Sequence, residues 1–313
     1  MTCDLTDPIF NDEDAARKHF EAIRWPNGPF CPLCGQFDRV AELGGKSMGP
    51  GWYHCKDCRR KFTATMGTIY ERSHIPLHKW LLATHLLAAS KKGMSAHQLW
   101  RMLGFGSYRT AWFMAHRIRE GMRETFPSES EPMGGEGKYV EADETYVGGK
   151  EKNKHASVRT SAVGGMGKEI VFSLVERDGK ARSHHVRSVS AATLRPILVS
   201  QIDAATKLRT DDAGQYRHMS KDFPAHEVVN HGIGEYVRGD VHTNTVEGYF
   251  ATFKRGIMGV YHHVSPEHLK RYLCEFDFRY NERAALGVED AERAAKAVAG
   301  VVGKRLTYDQ AYL

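Results

Sequence analysis

The chain of 313 residues is longer than one hydrophobic core usually serves, so two or three compact units are expected. Hydrophobic residues at 41% and charged residues at 26% exclude a largely disordered chain. With 44 Lys and Arg against 38 Asp and Glu, the net charge of +6 leans toward polyanionic partners without fixing one.

No run approaches about 18 uninterrupted apolar residues, which argues against a membrane-spanning helix. The N-terminal stretch is acidic and polar where a secretory signal would be basic and then apolar, so a cytoplasmic protein is expected.

A short helical lead from about Asp12 to Ile23 runs into Trp25, Pro26 and a Cys-rich segment. There Cys31, Cys34, Cys55 and Cys58 form two C-x₂-C pairs, the arrangement that sets four thiolates around one Zn²⁺. No open coordination position is suggested, so the zinc reads as structural, a staple for a unit too small to bury its own core. Cys3 and Cys274 stand alone, which suits a reducing compartment better than a disulfide framework. Arg59, Arg60 and Lys61 follow the last ligand as a basic edge suited to phosphate, although plain solvation accounts for it equally well. The lead and ribbon together occupy residues 12–70.

Residues 75–126 have apolar positions at three-to-four spacing and read as three helices, with Ser95 and Ser107 as N-caps and Gly93 and Gly104 as breaks. The last two form a helix-turn-helix pattern. The second helix shows Tyr108, Arg109 and Thr110 in its first turn, and Arg117, Arg119 and Arg123 further along to follow a nucleic-acid backbone. A helical connector with a solvated basic face is the alternative. Residues 127–137, rich in Gly, Pro, Ser and Glu, read as a linker. Strands then dominate: residues 138–149, a hairpin turning at Asp178-Gly179, Lys207 to Asp211, and a short strand near Val228, with a helix near Ala192 to Gln201. The chain ends in helices, the unit closing near residue 290 and leaving 291–313 as a C-terminal tail.

Three acidic positions fall in three different local settings. Asp143 lies within a strand, where it shares a face with Glu141 and Thr145 while Glu144 points the other way. Asp211 ends a strand and precedes a turn, the sheet edge at which α/β folds bind ligands. Glu247 lies near the start of a helix that continues through Lys254 and Arg255. Taken singly, each has an ordinary explanation: a surface strand acid, a helix cap such as Asp212 would also provide, or a charged amphipathic helix. As a set they suit two Mg²⁺ ions about 3.5–4 Å apart, which need shared carboxylate ligation and no protein nucleophile.

The paired cysteines after Trp25-Pro26-Asn27-Gly28, the run from Val140 to Lys150, Thr210-Asp211-Asp212, the segment from His242 to Phe250, that from Phe253 to Ser265, and that from Tyr272 to Arg283 occur in one order. Over about Asp12 to Arg283 the chain resembles bacterial insertion-sequence transposases with an N-terminal zinc ribbon and a DDE domain. The resemblance implies a multidomain chain: zinc ribbon, small helix-turn-helix-like domain, then an α/β RNase H-like catalytic domain with a mixed sheet over 138–290. It implies Asp143, Asp211 and Glu247 as the catalytic, magnesium-holding set and Lys254 as a contact to the DNA end; the residues themselves add Arg255, Arg109, Arg117, Arg59 and Arg60 as expected DNA contacts. Asp212 stands where the family carries Gly, and some relatives present Asn as third ligand, so Asp212 and Asn244 are alternates. His242, His262 and His263 are DNA-contact candidates rather than metal ligands.

The expected activity is that of a DNA transposase: binding its element's ends, hydrolysing terminal phosphodiesters and joining 3′-hydroxyl ends to target. The expected partners are double-stranded DNA, as terminal inverted repeats and as target, and further copies of the chain in a homo-oligomer on DNA. No membrane and no small-molecule substrate is expected. The rivals are a non-catalytic zinc-ribbon and helix-turn-helix regulator, and an RNase H-like nuclease without strand transfer.

Overall fold

The computed structural model describes residues 4–45, 48–124, 131–149, 155, 167–230, 232, 234–235 and 237–307. Residues 127–130 of the expected linker and 308–313 of the expected tail lie outside these. The chain forms two compact units, Met1–Arg123 with Glu282–Leu313, and Glu124–Asn281.

In the first unit, helix α1 (Glu13–Arg24) starts at Asp12, whose side chain accepts from the Ala15 N–H at 2.8 Å. Strands β1 (Val40–Leu43), β2 (Trp52–Cys55) and β3 (Lys61–Thr63) make a small antiparallel sheet in that order. Trp25 packs edge-on to Tyr53 at 5.1 Å, and Tyr53 stacks with Phe62, giving the ribbon a three-ring core. Helix α2 (Leu77–Ala89) buries residues on nearly every side, among them Trp80, Leu81, Thr84 and Leu87, as befits a central helix. Helices α3 (Ala96–Leu103) and α4 (Tyr108–Met122) follow. Ser95 accepts from the Gln98 N–H, Ser107 accepts from the Arg109 N–H, and left-handed Gly104 (φ 62°) closes α3.

The second unit is a five-stranded mixed sheet built from β4 (Tyr139–Val147), β5 (Glu169–Glu176), β6 (Ala181–Val186), β7 (Lys207–Asp211) and β8 (Glu227–Val229), in the order β6-β5-β4-β7-β8. β4, β5 and β6 pair antiparallel, whereas β4, β7 and β8 run parallel. Helix α5 (Ala191–Gln201) supplies the crossover into β7 and covers one face, burying Leu194 and Leu198 against Val140, Ala142, Phe172 and Leu208. Helices α6 (Asn244–Gly256) and α7 (Pro266–Asn281) cover the other through Val246, Phe253, Leu273 and Phe276 against Val171 and Val175. This sheet, with its inverted second strand and helices on both faces, has the RNase H-like arrangement.

Asp178 turns the β5–β6 hairpin with a positive φ of 58°, at the place the Asp-Gly pair predicts. Within the unit, a buried polar bridge joins β6 to the helices: Asp277 accepts from the Tyr249 hydroxyl (2.5 Å) and from the Ser183 N–H (2.8 Å) and hydroxyl (2.7 Å).

The chain past Asn281 rejoins the first unit, so the expected tail needs correction. Helix α8 (Asp290–Ala299) packs on α2, presenting Ala294, Ala297 and Val298. Arg293 donates to the Ala88 carbonyl at the C-terminus of α2, and Lys304 donates to the Gly121 (2.8 Å) and Arg123 carbonyls at the end of α4. Cations there answer the unpaired carbonyls and the negative end of each helix dipole.

Candidate active site

β4 carries the first carboxylate in its middle. The parallel register pairs Glu141 with Arg209, so two further residues along both strands bring Asp143 level with Asp211 at the end of β7. Asp211 then bends the chain by accepting from the Ala213 N–H at 3.2 Å, a turn the sequence would equally allow Asp212 to form. Glu247 lies in the first turn of α6 on the sheet face that Asp143 shares with Glu141 and Thr145.

Electrostatics places the acids together. Burial pushes the Asp143 carboxyl up to about 7; the Glu144 N–H bond at 2.7 Å opposes this, and the charges of Glu144, Asp211 and Glu247 add to it. Among the described residues neither Asp143 nor Glu247 is paired with a protein cation. A buried carboxylate flanked by like charges is an arrangement that a divalent cation stabilises and that protein alone does not. The donor set, all carboxylate oxygen, fits Mg²⁺.

Glu144 adds a fourth acid that the sequence reading set aside as facing away. It does face the α5 side, where Gln215 Nε2 (2.7 Å) and the Tyr216 hydroxyl (2.6 Å) donate to it. Burial raises its proton affinity, the Tyr216 hydrogen bond opposes that, and the Asp211 charge adds to it. A charged residue placed on a strand face that otherwise supplies Val140 and Ala142 to the core is the signal that marks it. Asn244 is the first residue of α6 and exposed, its N–H donating to His242 Nδ1 at 3.3 Å.

The cysteine cluster is tighter. The Sγ atoms of Cys31 and Cys58 lie 3.6 Å apart, as do those of Cys34 and Cys55, against the separation of about 3.8 Å that tetrahedral Zn–S bonds near 2.3 Å impose. Gly35 (φ 77°) and Arg59 (φ 56°) take left-handed conformations one residue past each pair, curling both knuckles toward the centre. All four ligand atoms lie within 4.8 Å of one another. Among the described residues this is the only set of three or more such side chains so close, and it fits one Zn²⁺. Asp143, Asp211 and Glu247 form no such tight set among the described residues.

The basic candidates divide. Lys254 and Arg255 are exposed in the last turn of α6, and Arg59 and Arg60 are exposed beyond the ribbon. Arg109 is exposed at the start of α4 beside Tyr108, whose ring stacks on His97 at 4.2 Å. Arg117 does not belong with them. It is buried, donates to the Glu71 carbonyl at 3.0 Å and lies over the Trp80 ring at 5.1 Å, and burial lowers its pKa to about 10. Arg119 is buried too, and Arg123 pairs with Glu120 at 2.7 Å. Gly121, one turn beyond Arg117 on the same side of α4, is closed over by Ile69 and Val301, a layer that an isolated helix-turn-helix lacks.

Fold and sites define a zinc-ribbon protein with an RNase H-like unit that carries acidic residues in the middle of β4, at the end of β7 and in the first turn of α6. The sequence matches the ISXO2-like transposase domain over residues 134–281 and the transposase zinc-ribbon domain over residues 11–61. It is 32% identical over 283 residues to an uncharacterized protein in transposable element ISH50 of Halobacterium salinarum, covering 86% of this chain and 91% of that one. The chain belongs to the ISXO2-like family of insertion-sequence transposases. No solved structure matches it. No helix among the described residues is long and apolar enough to cross a membrane.

Proposed function

We propose that the protein is a DNA transposase that binds the inverted-repeat ends of its own element, cuts there, and joins the freed 3′-hydroxyl ends to target DNA. The observation that carries this reading is the placement of Asp143 level with Asp211 on the parallel strands β4 and β7, with Glu247 in the first turn of α6 over the sheet face of Asp143. These three would hold two Mg²⁺, whose contribution would be to activate the attacking oxygen and to stabilise charge on the leaving one. Glu247 is preferred to Asn244 as third ligand because it offers a charged oxygen donor, from the first turn of α6 over the sheet face of Asp143, where Asn244 offers a neutral one.

In the first step a water oxygen bonds to the terminal phosphorus and the bond to the 3′ oxygen breaks, leaving a 3′-hydroxyl. In the second, that hydroxyl attacks a target phosphodiester and displaces a target 3′ oxygen. Lys254, exposed two helical turns beyond Glu247, would hold the DNA end by a phosphate, assisted by Arg255. Arg109, Arg59 and Arg60 in the first unit would add affinity for the repeat. Two ends must be joined, so a homo-oligomer on DNA is part of the proposal, as is a cytoplasmic, nucleoid-bound protein.

The test is cleavage and joining on a terminal-repeat oligonucleotide with Mg²⁺, wild type against Asp143→Asn. Both products should form with wild type, and the variant should lose about 10³-fold or more. Equal joining by both would refute the site, cleavage without joining would favour a nuclease, and binding with neither product would favour a regulator.

A further inference from the structure

Helix α6 begins without help from its own cap. Thr243, the N-cap residue, makes no side-chain capping bond. The N–H groups of the first turn are met instead by a carboxylate from the sheet: Glu141 accepts from the N–H of Thr245 (2.7 Å), the N–H of Val246 (3.0 Å) and the Thr245 hydroxyl (2.7 Å). Its side chain is fully buried, and Arg177 completes its coordination at 2.9 Å. Arg177 also donates to the Asp240 carbonyl at 3.2 Å, and Arg209, itself fully buried, holds that carbonyl and the Asp240 carboxylate (2.8 Å). The segment leading into α6 is thus fastened to β4, β7 and the β5–β6 turn, and Arg209 at the same time pairs with Glu227 of β8 at 2.9 Å.

We infer that Glu141 is a positioning residue: it fixes the N-terminus of α6 to β4 so that Glu247 stands opposite Asp143. Glu141 and Asp143 are alternate residues on one strand face, so β4 sets the place of Asp143 directly and that of Glu247 through Glu141. A buried carboxylate is costly unless fully hydrogen-bonded, and here the bonds are to the one helix that carries an acid to the site. Supporting groups of this kind orient ligands without touching the metal. The inference rests on the proposal that Asp143, Asp211 and Glu247 hold divalent cations.

Mn²⁺ binding to the zinc-loaded full chain, followed by titration calorimetry, tests it with Glu141→Gln, Thr245→Val and Asp143→Asn. Glutamine keeps the shape but turns an amide N–H₂ toward donors. Glu141→Gln should weaken Mn²⁺ by about 10-fold or more, and Thr245→Val, which removes one of the bonds, by roughly threefold. In both, cleavage should regain much of its rate at high Mg²⁺, since the ligands themselves remain. A purely structural role would lower the melting temperature and leave the Mg²⁺ concentration for half-maximal rate unchanged. If Glu141→Gln does not fold, Thr245→Val decides. Wild-type Mn²⁺ affinity in the folded Glu141 or Thr245 variant, with Asp143→Asn binding none, overturns the inference alone. Normal Mn²⁺ binding and cleavage by Asp143→Asn would overturn the underlying site instead.

Discussion

Cys31, Cys34, Cys55 and Cys58 reach one another through two short knuckles whose turns are written in adjacent residues. Asp143, Asp211 and Glu247, by contrast, come from a central strand, a parallel neighbour and a helix, and come near one another only once the sheet has its order. The first set is legible as spacing, because local backbone geometry delivers the ligands. The second depends on register between β4 and β7 and on a buried anchor at the start of α6. The locally built cysteine set closes to the spacing of its ion, whereas the acids brought together over distance lie more loosely, and their charges add to the effect of burial on Asp143.

That contrast can be broken at its strongest point first. Cys58→Ser should lose the zinc and unfold the ribbon, because structural zinc contributes on the order of 10 kcal/mol to such small units. Metal analysis should fall from one zinc per chain toward none, with amide exchange protection lost over β1 to β3 and retained over β4 to β8. Loss of protection in both units together would contradict independent assembly of the two ligand sets.

A smaller effect separates the two kinds of arginine on α4. Arg117→Ala should destabilise the first unit by about 2–3 kcal/mol, since it removes a buried cation seated on Trp80 and bonded to Glu71. Arg109→Ala should leave the melting temperature within a degree or so while weakening DNA binding and reducing its salt dependence by about one counterion. Thermal unfolding and salt-titrated binding read both; the reverse pattern would restore Arg117 as a DNA contact.

The smallest expected effect concerns pH. Asp277, enclosed by Tyr249 and Ser183, has its pKa raised by burial to about 6, with the hydroxyl and N–H donors opposing the rise. A carboxyl with a raised folded pKa favours the fold in its neutral form, so its stabilising share is complete below about pH 4 and is lost as pH climbs through 6. Asp277→Asn should therefore flatten the pH slope of stability of the second unit between 4 and 7, whatever its absolute stability, as seen in denaturant midpoints. An unchanged slope would assign the titration elsewhere.

The same contrast explains what the sequence conveys. The cysteine spacing, the serine caps of α3 and α4 and the Asp-Gly hairpin are local statements, and the structure has them where the residues predict. The residues expected as a tail were legible in principle, because Ala294, Ala297, Val298 and Val301 recur at helical spacing. Their partner, α2, lies some two hundred residues earlier, as the Arg293 to Ala88 bond records. Arg117 differs from the DNA contact expected of it for a related reason: its phase on α4 is visible, but Glu71 and Trp80, which enclose it, come from an earlier stretch of the chain. Glu141 was placed correctly on the Asp143 face, yet its partners at Thr245 and Val246 are unreadable without the fold.

Anomalous scattering from crystals of the zinc-loaded protein grown with Mn²⁺ tests the central claim most directly. The account predicts manganese peaks ligated by Asp143, Asp211 and Glu247, with the four cysteines holding zinc alone. Manganese absent from those carboxylates, or held through Asn244 with Glu247 turned away, would contradict it.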